Sequence, residues 1–295
     1  MILETHEHPG NLTATPLLLV HATGLHGRVF DQLVAALPGD RRVLAPDLRG
    51  HGRSRWPEWE PFPERLPWDV FGDDLVEIVE RLELERVVIA GHSMGAHSSV
   101  LAAAELEARA PMMVAGLVLF DPAIGPQAQG GRSETEVPPA SEQPVMRRRN
   151  SWASSSEMFE SFVSRPPFAS WNESVLRDYC EGGLTPSMNG ESLELACPPA
   201  VEAAVYAARA DQRVQARVDA AVESIAAPVW VVRARDRVVG DPPGLGPSAT
   251  APDLASRFAQ GHDRQEADTG HFFPLEEPER AASVLAACLG AIESA

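Results

Sequence analysis

Lysine is absent from this sequence, and all 25 of its basic residues are arginine. Most surface positions do not need the bidentate geometry of arginine, so we interpret this bias as a property of the lineage. Positive charge is also scarce overall, because the formal net charge is −17. Nucleic acids and anionic membranes are polyanions, so this charge argues against either of them as a partner.

Cysteine is rare, and long apolar runs are missing. The three cysteines are widely spaced and form no metal-ligand pattern, which predicts reduced thiols in a cytoplasmic protein. No basic segment followed by a long apolar stretch opens the chain, and no apolar run approaches the roughly 20 residues that span a bilayer. We expect a soluble, cytoplasmic monomer or homodimer without a membrane partner.

Short apolar runs recur along the 295 residues, and each ends in a turn motif: PLLLVHATG, RRVLAPDLRG, RVVIAGHS, VAGLVLFDPA and APVWVVRARD. They are rich in Val, Leu and Ile without alternation, which is typical of parallel strands buried on both faces. Segments with helical spacing, such as WDVFGDDLVEIVERLEL and ASVLAACLGAIES, separate or follow them. This alternation predicts an α/β fold with a doubly wound, mostly parallel sheet.

The alternation breaks between about residues 124 and 215, which predicts an insertion. Residues 1–123 and 216–295 then form the two parts of the core. The Gly-, Pro- and Ser-rich residues 125–144 predict an exposed loop at the start of the insertion.

The rest of the insertion is rich in aromatic residues in a looser helical context. Phe159, Phe162 and Trp171 are candidates for the lining of an apolar small-molecule pocket, although each could instead pack the insertion on the core. The run Arg147–Arg149 could meet an acidic substrate, but such runs are more often solvated surface.

The stretch RVVIAGHSMG places a serine between two glycines, after a strand and before a helix. This is the context of a nucleophile elbow, in which a strained turn exposes the serine. Ser93 is therefore the candidate nucleophile, and the backbone N–H of Met94 is a candidate donor to an oxyanion. The alternative is that Ser93 only caps the helix.

A serine needs a base, and His271 in DTGHFFPLEEPER is the best placed of the nine histidines. It follows the strand candidate DRQEA, at the edge of the sheet where Ser93 emerges. Asp236 and Asp121 each follow a strand at that edge and could orient the histidine. We prefer Asp236, because Ser93, Asp236 and His271 then occur in the order expected for this architecture.

Four blocks of sequence resemble the α/β-hydrolase family: HATG, DLRGHGRS, GHSMG and GHFFPLEEPE. The resemblance implies that the insertion is a cap over the active site, that Asp236 is the acid, and that Thr23 supplies an oxyanion amide. Ala22 stands where the family usually has glycine, and Arg233 is unusual three places before Asp236. The short segment before PLLLV implies that the first one or two strands are reduced or missing.

These residues predict acyl transfer to water. His271 deprotonates Ser93, which attacks a carbonyl carbon, and the amides of Met94 and Thr23 hold the oxyanion. Water then opens the acyl-enzyme while Asp236 holds the imidazole. No metal or organic cofactor is implied. We interpret the block DLRGHGRS as structural, with Asp47, Arg49 and Ser54 tying a loop together.

Hydrolysis of a small ester or lactone is the leading hypothesis. Serine at the elbow argues against the dehalogenase and epoxide-hydrolase branches, which resemble this scaffold but use aspartate there. Carbon–carbon hydrolysis, cofactor-free haloperoxidase-like chemistry and acyl transfer to an alcohol are alternatives. A non-catalytic ligand-binding protein on the same fold is an alternative of a different class, although the intact Ser, Asp and His argue against it.

Overall fold

The computed structural model describes residues 3–57, 59–125, 137–187, 190–238, 240–241 and 246–294. Residues 126–136 of the predicted loop lie outside this description. In the described part of the chain, no helix is both long and apolar enough to cross a membrane.

The described chain contains ten strands and nine α-helices. The strands are β1 (Thr5–His8), β2 (Leu17–Val20), β3 (Val43–Pro46), β4 (Val87–His92), β5 (Val114–Phe120), β6 (Ser151–Trp152), β7 (Leu184–Pro186), β8 (Leu193–Leu195), β9 (Val229–Arg233) and β10 (Gly261–Gln265). The helices are α1 (Asp31–Ala36), α2 (Asp69–Arg81), α3 (Met94–Arg109), α4 (Ser155–Phe162), α5 (Glu173–Gly182), α6 (Pro199–Ala207), α7 (Gln212–Ser224), α8 (Phe273–Glu276) and α9 (Pro278–Ser294).

Seven strands form the main sheet, in the order β1-β3-β2-β4-β5-β9-β10. The edge strand β1 is antiparallel to β3, and the other neighbouring pairs are parallel. The prediction of a mostly parallel α/β sheet is therefore confirmed. A single four-residue strand precedes β2 in the described chain. Because the parallel strands all end at one edge, the segments that follow β4, β5, β9 and β10 meet there.

The side chains of the central strands alternate between the two faces of the sheet. Ile89 and Leu117 belong to a core that includes apolar residues of α2, α3 and α7. Val88 and Val118 point to the opposite face and belong to a core that includes residues of α1 and α9. A strand covered on both faces has no polar face, which explains why these runs do not alternate in sequence.

The segment between β5 and α7 forms the insertion. It contains α4, α5 and α6 together with a small antiparallel sheet in the order β6-β8-β7. The sequence did not predict this sheet, because strands of two or three residues are too short to show a period of two. The predicted boundary at residue 215 falls inside α7, which packs on α3 of the core.

Candidate active site

Ser93 lies in the turn between β4 and α3, with φ of 56° and ψ of −117°. Two glycines make this turn possible. A Cβ at Gly95 would lie 2.3 Å from the backbone oxygen of His21, and one at Gly91 would lie 2.7 Å from the nitrogen of Ala96. The Ser93 side chain forms no capping bond with α3, so helix capping does not explain the serine. A strained backbone at a non-glycine residue is typical of functional sites.

The side chains of Ser93, His271 and Asp121 form a hydrogen-bonded series. Nε2 of His271 lies 3.0 Å from Oγ of Ser93, and Nδ1 of His271 lies 2.5 Å from Oδ2 of Asp121. Both His271 and Asp121 are buried, so water does not compete for the bond between them. A nucleophile, a base and an orienting carboxylate in this geometry can activate a hydroxyl.

The structure corrects the preference for Asp236. Its carboxylate is half exposed and pairs with Arg233, at 2.7 Å between Oδ1 and Nη1. Arg233 also binds both oxygens of Asp263, at 2.7 and 2.9 Å. The carboxylate that binds the imidazole of His271 is instead that of Asp121, the alternative in the sequence. The arginine three residues before Asp236 was the sequence signal for this pairing.

The environment of Asp121 keeps its carboxylate ionised. Its oxygens accept hydrogen bonds from the backbone N–H groups of Ala234 and Ala249, each at 3.0 Å, and from the Ser248 hydroxyl. Burial acts to raise the pKa of Asp121. The hydrogen bond and charge of His271, together with Ser248 and Ala249, outweigh burial and lower this pKa to about 2. The carboxylate can therefore orient His271 and stabilise its protonated form.

The two predicted oxyanion amides lie on segments that pack together. Met94 is the first residue of α3, so its N–H has no acceptor within the helix. Among the described residues, the Thr23 N–H also lacks an acceptor. A Cβ at Gly95 would collide with the carbonyl groups of Val20 and His21, which shows how closely the end of β2 approaches the first turn of α3.

His51 supports the turn that carries Thr23, a role that the sequence analysis did not assign. Its Nε2 accepts a hydrogen bond from the Gly24 N–H at 3.0 Å, and its Nδ1–H donates to the carbonyl of Arg49 at 2.9 Å. Burial lowers the pKa of His51 to about 4, so the ring is neutral and Nε2 stays an acceptor. No spacing within DLRGHGRS indicated this contact.

His92, the residue before the serine, supports His271. Its Nε2–H donates to the backbone carbonyl of His271 at 2.8 Å. Burial, and secondly the charge of a protonated His271, lower the pKa of His92 to about 3. A neutral His92 therefore fixes the backbone of the candidate base without adding a charge beside it.

The structural interpretation of DLRGHGRS agrees with the contacts of Asp47 and Ser54, whereas the side chain of Arg49 binds Asp74 of α2. The carboxylate of Asp47 accepts hydrogen bonds from the N–H groups of Gly27 and Arg53, both at 2.8 Å. The hydroxyl of Ser54 accepts one from Glu4 N–H at 2.8 Å. Side-chain acceptors thus hold the loop after β3 to neighbouring loops.

A cavity of about 520 Å³ opens between the turn after β2 and the insertion. Its lining contains Thr23, Gly24, Arg148, Arg149, Trp152, Phe162, Arg165, Phe168, Trp171, Tyr179, Glu202, Tyr206 and Phe272, among others. Two of the three predicted pocket residues, Phe162 and Trp171, line it. Phe159 does not: its ring is buried in the core and covered by the guanidinium of Arg177, 3.9 Å from the ring centre.

Two further features bear on what the site can do. Among the described residues, no three His, Cys, Asp or Glu side chains cluster in a way that could hold a metal ion. A larger hollow of about 690 Å³ lies where β4, β5 and β9 begin, lined by Arg86, Val114 and Pro228 among others. That hollow is at the edge of the sheet away from Ser93, whereas the smaller cavity is lined by Thr23, a predicted oxyanion residue, and by Phe272, the residue after His271.

The model of the alpha/beta hydrolase family matches residues 17–284. The chain belongs to this family. The resemblance inferred from the four sequence blocks is therefore confirmed. The fold of this family member is similar to that of the peroxisomal alpha-beta-hydrolase Lpx1 from Saccharomyces cerevisiae, with a TM-score of 0.72 and 16% identity over 98% of this chain and 89% of that one.

Curated relatives match only part of this family member. It is 34% identical over 127 residues to Lipase LipV of Mycobacterium tuberculosis, covering 42% of this chain and 44% of the lipase. It is 42% identical over 84 residues to the 3-hydroxybutyrate-oligomer hydrolase of Cupriavidus necator, covering 28% of each chain. The match spans less than half the length of either relative.

Proposed function

We propose that this chain is a serine hydrolase that cleaves a small ester or lactone through an acyl-enzyme. One observation carries the proposal: the series from Asp121 through His271 to Ser93, with distances of 2.5 and 3.0 Å. The names of the two relatives, a lipase and an oligomer hydrolase, agree with ester chemistry.

The proposed reaction has two stages. His271 takes the proton of Ser93, whose Oγ attacks the carbonyl carbon, and the N–H groups of Thr23 and Met94 stabilise the oxyanion. The protonated imidazole then gives its proton to the leaving alcohol, which leaves an acyl-enzyme. Water, deprotonated by His271, opens that intermediate and frees Ser93. Throughout, Asp121 holds the imidazole in place.

The cavity favours a substrate with an apolar body. Seven aromatic side chains line it, and its volume of about 520 Å³ lies within the usual range for small-molecule pockets. Among the candidate catalytic groups, Thr23 lines this cavity. This arrangement fits hydrolysis of a small ester better than action on a polymer.

The test is turnover of p-nitrophenyl esters and simple lactones by the native protein and by Ser93→Ala. We expect the variant to lose at least about 10³-fold in kcat, because nucleophile and base act as a unit. Ser161→Ala is the matched control, since Ser161 lines the cavity but lies outside the hydrogen-bonded series. A native protein that folds, turns over none of these esters and resists a serine-reactive phosphonate would contradict the proposal and favour a non-catalytic binding protein.

We further propose a cytoplasmic location. All three cysteines are free and buried, which fits a reducing compartment. Mass spectrometry of the intact protein with and without a thiol-reactive label, after unfolding, checks that the thiols are reduced in cells.

A further inference from the structure

The charges in the wall of the cavity have the opposite sign to the charge of the chain. Three arginines and one glutamate line it, whereas the sequence as a whole has a net charge of −17. Cationic side chains in an otherwise acidic protein concentrate a local positive potential. Whether an arginine can bind a substrate depends on what else it already holds.

Arg148 is already neutralised. Its guanidinium binds the buried carboxylate of Glu202 and, at 2.8 Å, the hydroxyl of Tyr179. Glu202 also lies against the turn after β2, because a Cβ at Gly24 would lie 2.7 Å from its Oε1. This group of residues joins the insertion to the turn of Thr23, and its charges cancel within the wall.

Arg149 has a carboxylate partner as well. Its Nη2 lies 2.6 Å from Oε1 of Glu157, and its guanidinium stacks 4.1 Å from the ring centre of Trp152. Both members of the ion pair are exposed, so the pair is only weakly held. Its charge is nevertheless balanced before any substrate arrives.

Arg165 is different. It lies three residues after the end of α4, lines the cavity and is exposed to solvent. No carboxylate of the described residues lies within ion-pair distance of its guanidinium, and that side chain donates no hydrogen bond to them. Arg165 is therefore a cation in the cavity wall whose charge is balanced by no carboxylate of the described residues.

Carboxylates are scarce in the lining of the cavity. Among the lining residues, the one carboxylate is that of Glu202, which already binds Arg148. An unbalanced cation in this wall suits a ligand that brings negative charge.

We propose that the cavity accepts an ester whose apolar body ends in a carboxylate, and that Arg165 binds this carboxylate. The inference rests on the proposed hydrolase function and adds the substrate class. The planar fork of arginine can hold both oxygens of a carboxylate, while the aromatic walls hold the carbon chain between that anion and the scissile carbonyl.

The experiment compares matched pairs of p-nitrophenyl esters. One member is the half-ester of adipic, suberic or sebacic acid, and the other is the neutral hexanoate, octanoate or decanoate. Shorter diacids are avoided, because their free carboxylate attacks its own ester. Several chain lengths are compared because the distance from Ser93 to Arg165 determines which half-ester can place its carboxylate on Arg165 while its carbonyl carbon lies at Ser93. Phenyl acetate and 4-acetoxybenzoate repeat the comparison with the anion on the leaving group.

We expect native protein to prefer the acidic member of at least one pair. Arg165→Gln should lower the ratio of kcat/KM for the acidic member to kcat/KM for the neutral member by about fivefold, through KM of the acidic member. Arg165→Glu should lower it further. Added salt should raise KM for the acidic ester only when Arg165 is present, because salt screens the pair.

Arg147→Gln is the matched control. Arg147 lies in the same insertion, is exposed and carries the same charge, but does not line the cavity. Equal effects of Arg147→Gln and Arg165→Gln would show that only the overall field matters, and so would overturn the proposal. A constant ratio of acidic to neutral turnover across all variants would overturn it too.

Failure of the hydrolase proposal gives a different result. If no ester is hydrolysed in a manner that depends on Ser93, binding of monomethyl adipate, suberate and sebacate to the Ser93→Ala protein still tests Arg165 by calorimetry. Binding that weakens on adding Arg165→Gln supports the anion site without hydrolysis. Equal binding, or none, with and without Arg165 refutes it.

Discussion

Asp121 and Asp236 follow neighbouring parallel strands, and sequence spacing alone did not separate them. Phe120 at the end of β5 pairs with Val232 of β9, so both carboxylates leave the sheet at the same edge. What decides between them is three-dimensional: Asp236 binds Arg233, whereas Asp121 binds His271. A local ion pair at this spacing can be recognised in sequence, but its effect on a distant histidine cannot.

Substitution of these two aspartates separates their roles. Asp121→Asn should lower kcat by about 10³- to 10⁴-fold, because an amide that donates to Nδ1 of His271 leaves the wrong tautomer facing Ser93. Asp236→Asn should change kcat less than about twofold, since it breaks only a half-exposed ion pair. Steady-state kinetics on one ester check both. A large loss in Asp236→Asn with a small one in Asp121→Asn would restore the original assignment.

The positions of Ser93 and His271 at one edge of the sheet were predictable because their local sequences carry their geometry. The glycines around Ser93 are required by backbone contacts shorter than 3 Å to any added Cβ. His51 and His92 were not predictable as supports, because a histidine bonded to a backbone group has no spacing rule. Their roles depend on which loop each ring meets after folding.

At the scale of elements, long apolar strands were predicted and short or polar ones were not. The apolar runs that form β2, β4 and β5 are buried along their whole length. In contrast, β1 reads THEH at the edge of the sheet and is partly exposed, so it lacks the apolar content that marks a strand. Pairing with β3, a tertiary contact, makes it a strand.

The turn after β2 is held from two sides, and this gives a prediction for Gly24. Gly24 has φ of +76°, and an added Cβ would lie 2.7 Å from Oε1 of Glu202. Gly24→Ala should therefore displace the Thr23 N–H and lower kcat by about tenfold to 100-fold, with a small change in KM. Kinetic constants and thermal unfolding of the variant check this.

The control is Gly39→Ala. Gly39 has φ of +93°, and an added Cβ there would meet nothing within 4 Å. It therefore reports the cost of the positive φ alone, about 1 kcal/mol of stability. Equal kcat values for Gly24→Ala and Gly39→Ala would mean that the turn does not position a catalytic amide.

At the scale of the whole molecule, buried histidines link stability to pH. Burial lowers the pKa of His21, His92 and His97 to about 3 and that of His51 to about 4. In the unfolded chain, the pKa of these groups is about 6.5, the value for free histidine. Below about pH 6.5 unfolding therefore takes up protons, so the buried rings lower the stability of the fold as the pH falls and leave it unchanged above that pH.

We expect the free energy of unfolding to fall as the pH drops below about 6.5, by up to about 1.4 kcal/mol per pH unit for each histidine. Urea unfolding at a series of pH values measures the slope. His97→Leu is the control, because neither ring nitrogen of His97 has a partner in the described chain and the ring packs against Trp68. In His97→Leu, the free energy of unfolding should fall less steeply with pH, because unfolding takes up one proton fewer. An unchanged slope would contradict the lowered pKa of His97.

The three members of the hydrogen-bonded series are far apart along the chain, with separations of 178 residues between Ser93 and His271 and 150 between Asp121 and His271. Contacts that close such long loops are slow to form. A chain emerging from the ribosome therefore carries its serine and carboxylate well before its base. Under the proposed mechanism, the Ser93 hydroxyl gains its base only after residue 271 has been synthesised and has folded against the turn after β4, so the nascent chain meets the cell's esters and thioesters with an inactive serine.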